Sequence, residues 1–268
     1  MKLFITNLET GDEMKKTYAY GSAVLVLFAV WWIANLLVGS DLLLPGPIDV
    51  FARLGEMLLR VDTWRNIGMT FLRLVASMTF ALMSGFALGW AAGRNNLIRW
   101  FLSPGVTILR TIPVISVIVI ILIVVGFRIA PFVIAFLMIF PIMYQATVEG
   151  MAHLDDELAG VFFLEANGSL KKLWYCDLPQ MSGYLRAGIL SSAGLGIKVL
   201  VMGEYLAQTP DSIGNALYLE KVALAYDGVF AWSIVLVLIA LGLEWFIDLA
   251  KRRLNEHATA LRKREITD

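Results

Sequence analysis

Six stretches of this chain, at about 19–39, 67–92, 103–125, 130–148, 184–206 and 229–250, are each apolar over most of their length. A helix needs roughly 20 residues to cross about 30 Å of hydrocarbon, and in lipid a helix has the advantage of satisfying its own backbone polar groups. The pattern therefore predicts an all-α, polytopic membrane protein with six transmembrane helices. Composition agrees, with 59% of residues hydrophobic and only 16% charged, where a soluble domain carries about a quarter charged residues. Arg110 and Pro113 interrupt the third stretch and predict a kink there. The first stretch follows Lys15 and Lys16 but is too long for a cleaved leader, and reads as a span.

The placement of Lys and Arg sets the expected orientation. With the amino terminus inside, Lys2, Lys15, Lys16, Arg94, Arg99, Lys171, Lys172, Lys251, Arg252, Arg253, Arg262, Lys263 and Arg264 fall in cytoplasmic segments. Only Arg53, Arg60, Arg65, Arg128 and Lys221 fall outside. Both termini are thus expected in the cytoplasm, in a chain that divides into a cytoplasmic segment 1–18, a membrane domain 19–250 and a basic cytoplasmic tail 251–268. A long polar hairpin, 149–183, lies on the cytoplasmic side. On the other side, Leu44, Pro45, Gly46 and Pro47 start a turn, and 49–59 reads as a short amphipathic helix with Val50, Leu54, Met57 and Leu58 on one face.

Ala81, Gly85, Gly89 and Gly93 recur every four residues on the second span, so one face admits another helix backbone, either within the chain or at a subunit interface. Ser191, Ser192, Ala193, Gly194 and Gly196 give the fifth span a similar character. Ionisable residues inside spans are costly and each requires a reason. Arg73 and Asp248 sit near span ends, where snorkelling accounts for them. Arg110, Ser192, Lys198 and Glu204 are candidates for lining a translocation path, with an internal pair of Lys198 with Glu204 or Glu244 as the alternative.

Motifs for chemistry are missing. The run Gly194, Leu195, Gly196, Ile197, Lys198, Val199 has neither the spacing nor the hydroxyl of a phosphate-binding loop. His153 and His257 fall in no metal-ligand spacing, and Asp155 and Asp156 beside Glu157 read as a solvated helix start. The single cysteine, Cys176, can form no internal disulfide. No catalytic residue, metal site or bound cofactor is expected. Zero formal net charge gives no electrostatic case for nucleic acid. A membrane enzyme would need clustered acidic or His residues at one face, and an ion-driven transporter would need midplane carboxylates on broken helices, for which Glu204 is the one candidate.

The ordered set 44–47, Thr70, Arg73, Gly85 to Gly93, Ser103 and Pro104, Arg110 to Pro113, Pro141, Glu149 and Gly150, Leu178 and Pro179, Gly188, Glu204, Ile213 and Gly214 resembles the permease subunit of binding-protein-dependent ABC importers. The similarity is greatest to the nitrate, sulfonate and taurine group. It implies a type I importer permease fold in the bacterial inner membrane and a second permease chain, with a homodimer as the default. It also implies a cytosolic ABC ATPase dimer carrying ATP and Mg²⁺, and an extracytoplasmic substrate-binding protein. The hairpin 149–183 then carries a coupling helix, with Glu157, Val161, Phe162, Phe163, Leu164, Glu165, Ala166, Asn167 and Gly168 at the ATPase contact. The family's loop has Glu-Ala-Ala, three residues and Gly ahead of Leu-Pro. Counting back from Leu178 and Pro179 places Ala166 at the glycine and Gly160, Val161 and Phe162 at Glu-Ala-Ala, a departure that leaves Gly168 to supply the turn. Independently of the family, the four consecutive apolar residues 161–164 in a polar hairpin mark an interface.

Overall fold

The computed structural model describes the backbone of residues 2–155 and 172–267, and side chains within 18–155 and 172–247. All elements among the described residues are helical. They are α1 (Lys2–Val38), α2 (Pro47–Leu58), α3 (Val61–Arg94), α4 (Asn96–Thr111), α5 (Val114–Val125), α6 (Ala130–Ala152), α7 (Leu178–Ala207), α8 (Ile213–Val222) and α9 (Tyr226–Thr267). A π-helical turn, Leu173–Asp177, leads into α7. Five of these segments are long and apolar enough to cross a membrane: Tyr18–Val38, Val61–Arg94, Ala130–Ala152, Leu173–Ala207 and Tyr226–Ile247. The pair α4 and α5 is apolar enough only when taken together and is bent by 105°, a broken span or a re-entrant loop, so that the candidate spans number five or six. The bend falls where expected: Ile112 is extended (ψ 135°) ahead of Pro113, which lacks an N–H and disfavours helix in the residue before it. The other helices overrun their apolar windows, because hydropathy registers only the lipid-embedded part of a helix.

The contacts divide the chain into two units. The first comprises Met1–Val61 and Leu219–Ile234. Here Trp31 Nε1 donates to the Pro45 carbonyl (3.1 Å) and Asn35 Nδ2 to the Leu44 carbonyl (2.7 Å), fixing the turn between α1 and α2. Trp31 stacks on Phe28 and Phe230, and Phe28 on Phe51. Pro47 occupies the first turn of α2, where its missing N–H is no loss. Val50 and Met57 are buried as expected, Leu54 is half-buried, and Leu58 faces outward, a correction to the single apolar face read from the sequence. Arg53 pairs with Glu220 (3.1 Å), Glu56 (3.4 Å) and Asp227 (3.9 Å). Burial opposes the Arg53 charge, but the carboxylates outweigh it and hold its pKa above the ordinary value.

The second unit comprises Asp62–Tyr218 and Val235–Asp268. Its organising feature is the glycine face of α3. A Cβ at Gly85, Gly89 or Gly93 would lie 2.9, 2.7 and 2.6 Å from the Cβ atoms of Met143, Thr147 and Met151. Steps of four on α3 thus meet steps of four on α6 at backbone contact, which settles this face as internal packing. Gly188 and Gly196 bring α7 equally close to Ala146 and Ile139 of α6. Leu74, Ala81, Ala135, Ile139, Ile197, Leu200 and Val201 form one apolar cluster, and Val117, Ile118, Ala130, Ile134, Met138 and Val199 another. At the α3 carboxy end, Arg94 lies over the Trp90 ring (4.1 Å) and pairs with buried Asp177 (3.2 Å).

Candidate functional site

Two polar features stand out in the apolar second unit. The first is a clamp at the α7–α8 connection. Glu204, fully buried, receives Arg73 Nη1 on Oε1 (3.0 Å), the Thr70 hydroxyl on Oε2 (2.9 Å) and the Gly214 N–H on Oε2 (3.4 Å). Thr70 Oγ1 in turn accepts from Ile213 N (3.0 Å), and Ser212 Oγ from Asn215 N (3.0 Å). The first N–H groups of α8, which have no partner within their own helix, are thereby satisfied, that of Ile213 by a side chain 143 residues away in sequence. Arg73 also donates to the carbonyls of Pro210 and Asp211 (3.1 and 3.0 Å), and Arg65 pairs with Asp211 (2.8 Å). Gly214 is required for this closeness, since a Cβ there would stand 2.5 Å from both Glu204 Cβ and Tyr205 N.

The second feature is an open cleft of about 300 Å³ where α4, α6 and α7 meet. Its polar lining is Arg110, Gln145, Glu149, Tyr184 and Ser191, with Gly188 at its wall. The positions follow from the helices: Arg110 occupies the last turn of α4 before the bend, while Glu149 and Tyr184 lie near the facing ends of α6 and α7. Gln145 Nε2 donates to Glu149 Oε1 (3.0 Å), and His153 stacks on Tyr184 (5.0 Å between centroids).

The four path candidates read from the sequence are therefore spread apart. Arg110 lines the cleft, Ser192 is buried, Lys198 is exposed, and Glu204 is enclosed in the clamp. Ser191, one residue from the candidate, is the serine that faces the cleft. Arg73 does not snorkel: it turns inward to Glu204, one of the two carboxylates offered as an alternative partner for Lys198. Helical periodicity alone could not link Arg73 with Glu204, 131 residues away. The expected ATPase-contact residues Glu157, Val161, Phe162, Phe163, Leu164, Glu165, Ala166, Asn167 and Gly168 lie outside the described residues. Cys176 is buried, with Gln180 Nε2 at 3.3 Å from its sulfur.

The signature of the binding-protein-dependent transport system inner membrane component family matches residues 82–256, which include α4 to α8 and the whole cleft. The chain belongs to this family. Among similar proteins, the taurine transport system permease protein TauC of Escherichia coli (strain K12) is 25% identical over 86% of this chain and 86% of its own length. The putative aliphatic sulfonates transport permease protein SsuC of Bacillus subtilis (strain 168) is 23% identical over 90% of this chain and 88% of its own length. The glycine betaine/carnitine transport permease protein GbuB of Listeria monocytogenes serotype 1/2a (strain 10403S) is 22% identical over 82% and 76%. This permease is thus a membrane-embedded transport component of an ABC importer, working with an ATPase and a binding protein, and not an enzyme.

Proposed function

We propose that two copies of this permease enclose a path for a small solute handed over by the binding protein, and that the path opens to the cytoplasm through the cleft of Arg110, Glu149, Tyr184 and Ser191. The observation that carries this reading is the cleft itself: charged and hydroxyl groups from three helices gathered around one opening. A polar surface at membrane depth is tolerated where it lines water or protein. Both termini are cytoplasmic in this arrangement, as the distribution of Lys and Arg favours. The bent α4–α5 pair sets Arg110 at the edge of the cleft, and the clamp at Glu204 closes the opposite end of α7 into a fixed connection. Energy reaches the path through the hairpin 149–183, where Phe162, Phe163 and Leu164 anchor the ATPase. ATP and Mg²⁺ are bound by that partner, since this chain has no phosphate-binding loop.

Vesicle reconstitution tests the reading. Uptake is expected only when the chain is combined with its ATPase, its binding protein and ATP. Uptake by this chain alone, driven by an ion gradient, would overturn it.

A further inference from the structure

Lys198 is a charge that the fold leaves unexplained. It lies on α7 nine residues before Ala207, about 13–14 Å along the helix from that end, farther than a lysine side chain extends. A lysine at that depth facing hydrocarbon costs about 2.5–3.5 kcal/mol or more. It is nevertheless exposed, and the ion pairs of the described residues involve Arg53, Arg65, Arg73 and Arg94 but not Lys198. Glu204, six residues on, is committed to Arg73.

The surface leading to Lys198 is equally specific. Ser191, which lines the cleft, precedes Lys198 by seven residues, two helical turns, so both stand on one face about 10 Å apart along the axis. Between them, Gly194 has no atom within 4 Å of the position its Cβ would take. The neighbouring face of the same helix, through Gly188, Ser192, Gly196 and Gly203, is packed or buried. From the cleft at Ser191 the outward face of α7 therefore runs past Gly194 and the exposed side chain of Leu195 to Lys198, whose ammonium group has no ion-pair partner among the described residues.

We propose that Lys198 is a specificity-determining residue of the path, a fixed cation that meets the acid group of the transported solute, so that the solute class is a small organic anion or a zwitterion with a sulfonate or carboxylate head. The inference rests on the path reading above. Arg110, in the lining of the cleft, gives the same sign of charge, while Glu149 beside it is held by Gln145. An acid group moving along α7 thus passes from one cation to the other, a favourable exchange in a water-filled but partly desolvated passage, where a unit charge acts more strongly than in bulk water.

The test uses Gly194→Cys in the complete transporter in membrane vesicles, with and without Lys198→Gln. The parent chain, whose only cysteine is buried, gives the background. The thiolate at 194 attacks the sulfenyl sulfur of a methanethiosulfonate reagent and displaces methanesulfinate, leaving a mixed disulfide. Two reagents of similar size are compared, one ending in ethylsulfonate and one in ethyltrimethylammonium. Any effect of Lys198 on thiolate formation is common to both and cancels in the ratio of their rates. With Lys198 about 6 Å further along the helix, that ratio is expected to favour the sulfonate and to fall about tenfold or more in Lys198→Gln. An unchanged ratio, with both reagents still reacting, would overturn the role of Lys198 while leaving the path in place. Failure of both reagents to react at 194 would show that this face of α7 does not meet water, and would overturn the path reading itself.

Discussion

Removing the Glu204 carboxylate is expected to loosen the whole α7–α8 connection. Glu204 is fully buried and accepts from Arg73, Thr70 and Gly214 at once, and Arg73 keeps only 17% of its side-chain exposure. Glu204→Ala strands that guanidinium with two backbone carbonyls as its remaining partners and leaves Thr70 without its acceptor. Breaking a buried pair from one side costs about 3–5 kcal/mol. Glu204→Gln keeps the shape but loses the charge, and its amide turns a donor toward one of three donors, for a loss of about 1.5–3 kcal/mol. Thermal unfolding of the purified protein is the assay. At about 2–4 °C per kcal/mol for a chain of this size, Glu204→Ala is expected to unfold on the order of 10 °C lower, with Glu204→Gln in between. If both variants unfolded within about 2 °C of the parent, the clamp would not be holding the 208–215 connection and the reasoning would be refuted.

Gly89→Leu is expected to lower the unfolding temperature by several degrees, since it drives a side chain into Thr147 and the Tyr144 carbonyl for at least about 1–3 kcal/mol. Thermal unfolding alongside a control substitution at Gly68, which has open space around it, checks this. Arg53→Met leaves the mostly buried Glu220 carboxylate without its cation and is expected to cost about 1.5–3 kcal/mol, with a smaller loss in high salt; unfolding at two ionic strengths measures it. Phe163→Ala is expected to weaken ATPase association about 30-fold, the effect of losing about 2 kcal/mol at an interface anchor, with little change in folding; binding titration of the detergent-solubilised chain measures it.

The spans were legible because hydropathy reports on lipid contact, and the bend at Ile112 and Pro113 because proline acts through local covalent geometry. The glycine steps on α3 announced a close approach but not its partner, which depends on where the chain returns. The clamp illustrates the limit more sharply. Thr70, Arg73, Glu204, Ile213 and Gly214 were each visible as part of the family resemblance, yet Arg73 read alone was indistinguishable from a snorkelling residue. Their meeting is tertiary, made by hydrogen bonds that no periodicity encodes. The cleft repeats this pattern, with Arg110, Glu149 and Gly188 drawn from three separate helices. Distinguishing Ser191 from Ser192 needed the rotation of α7 about its axis, which a helix rich in small residues on several faces does not reveal.

Native mass measurement of the assembly, isolated from membranes through a tag on the ATPase, tests the central claim most directly. The account predicts two copies of this 29.8 kDa chain in each complex with an ATPase dimer, and loss of both copies when residues 157–170 are replaced by a flexible Gly/Ser linker of equal length. A stable, transporting complex holding one copy, or one that survives the linker replacement unchanged, would contradict it.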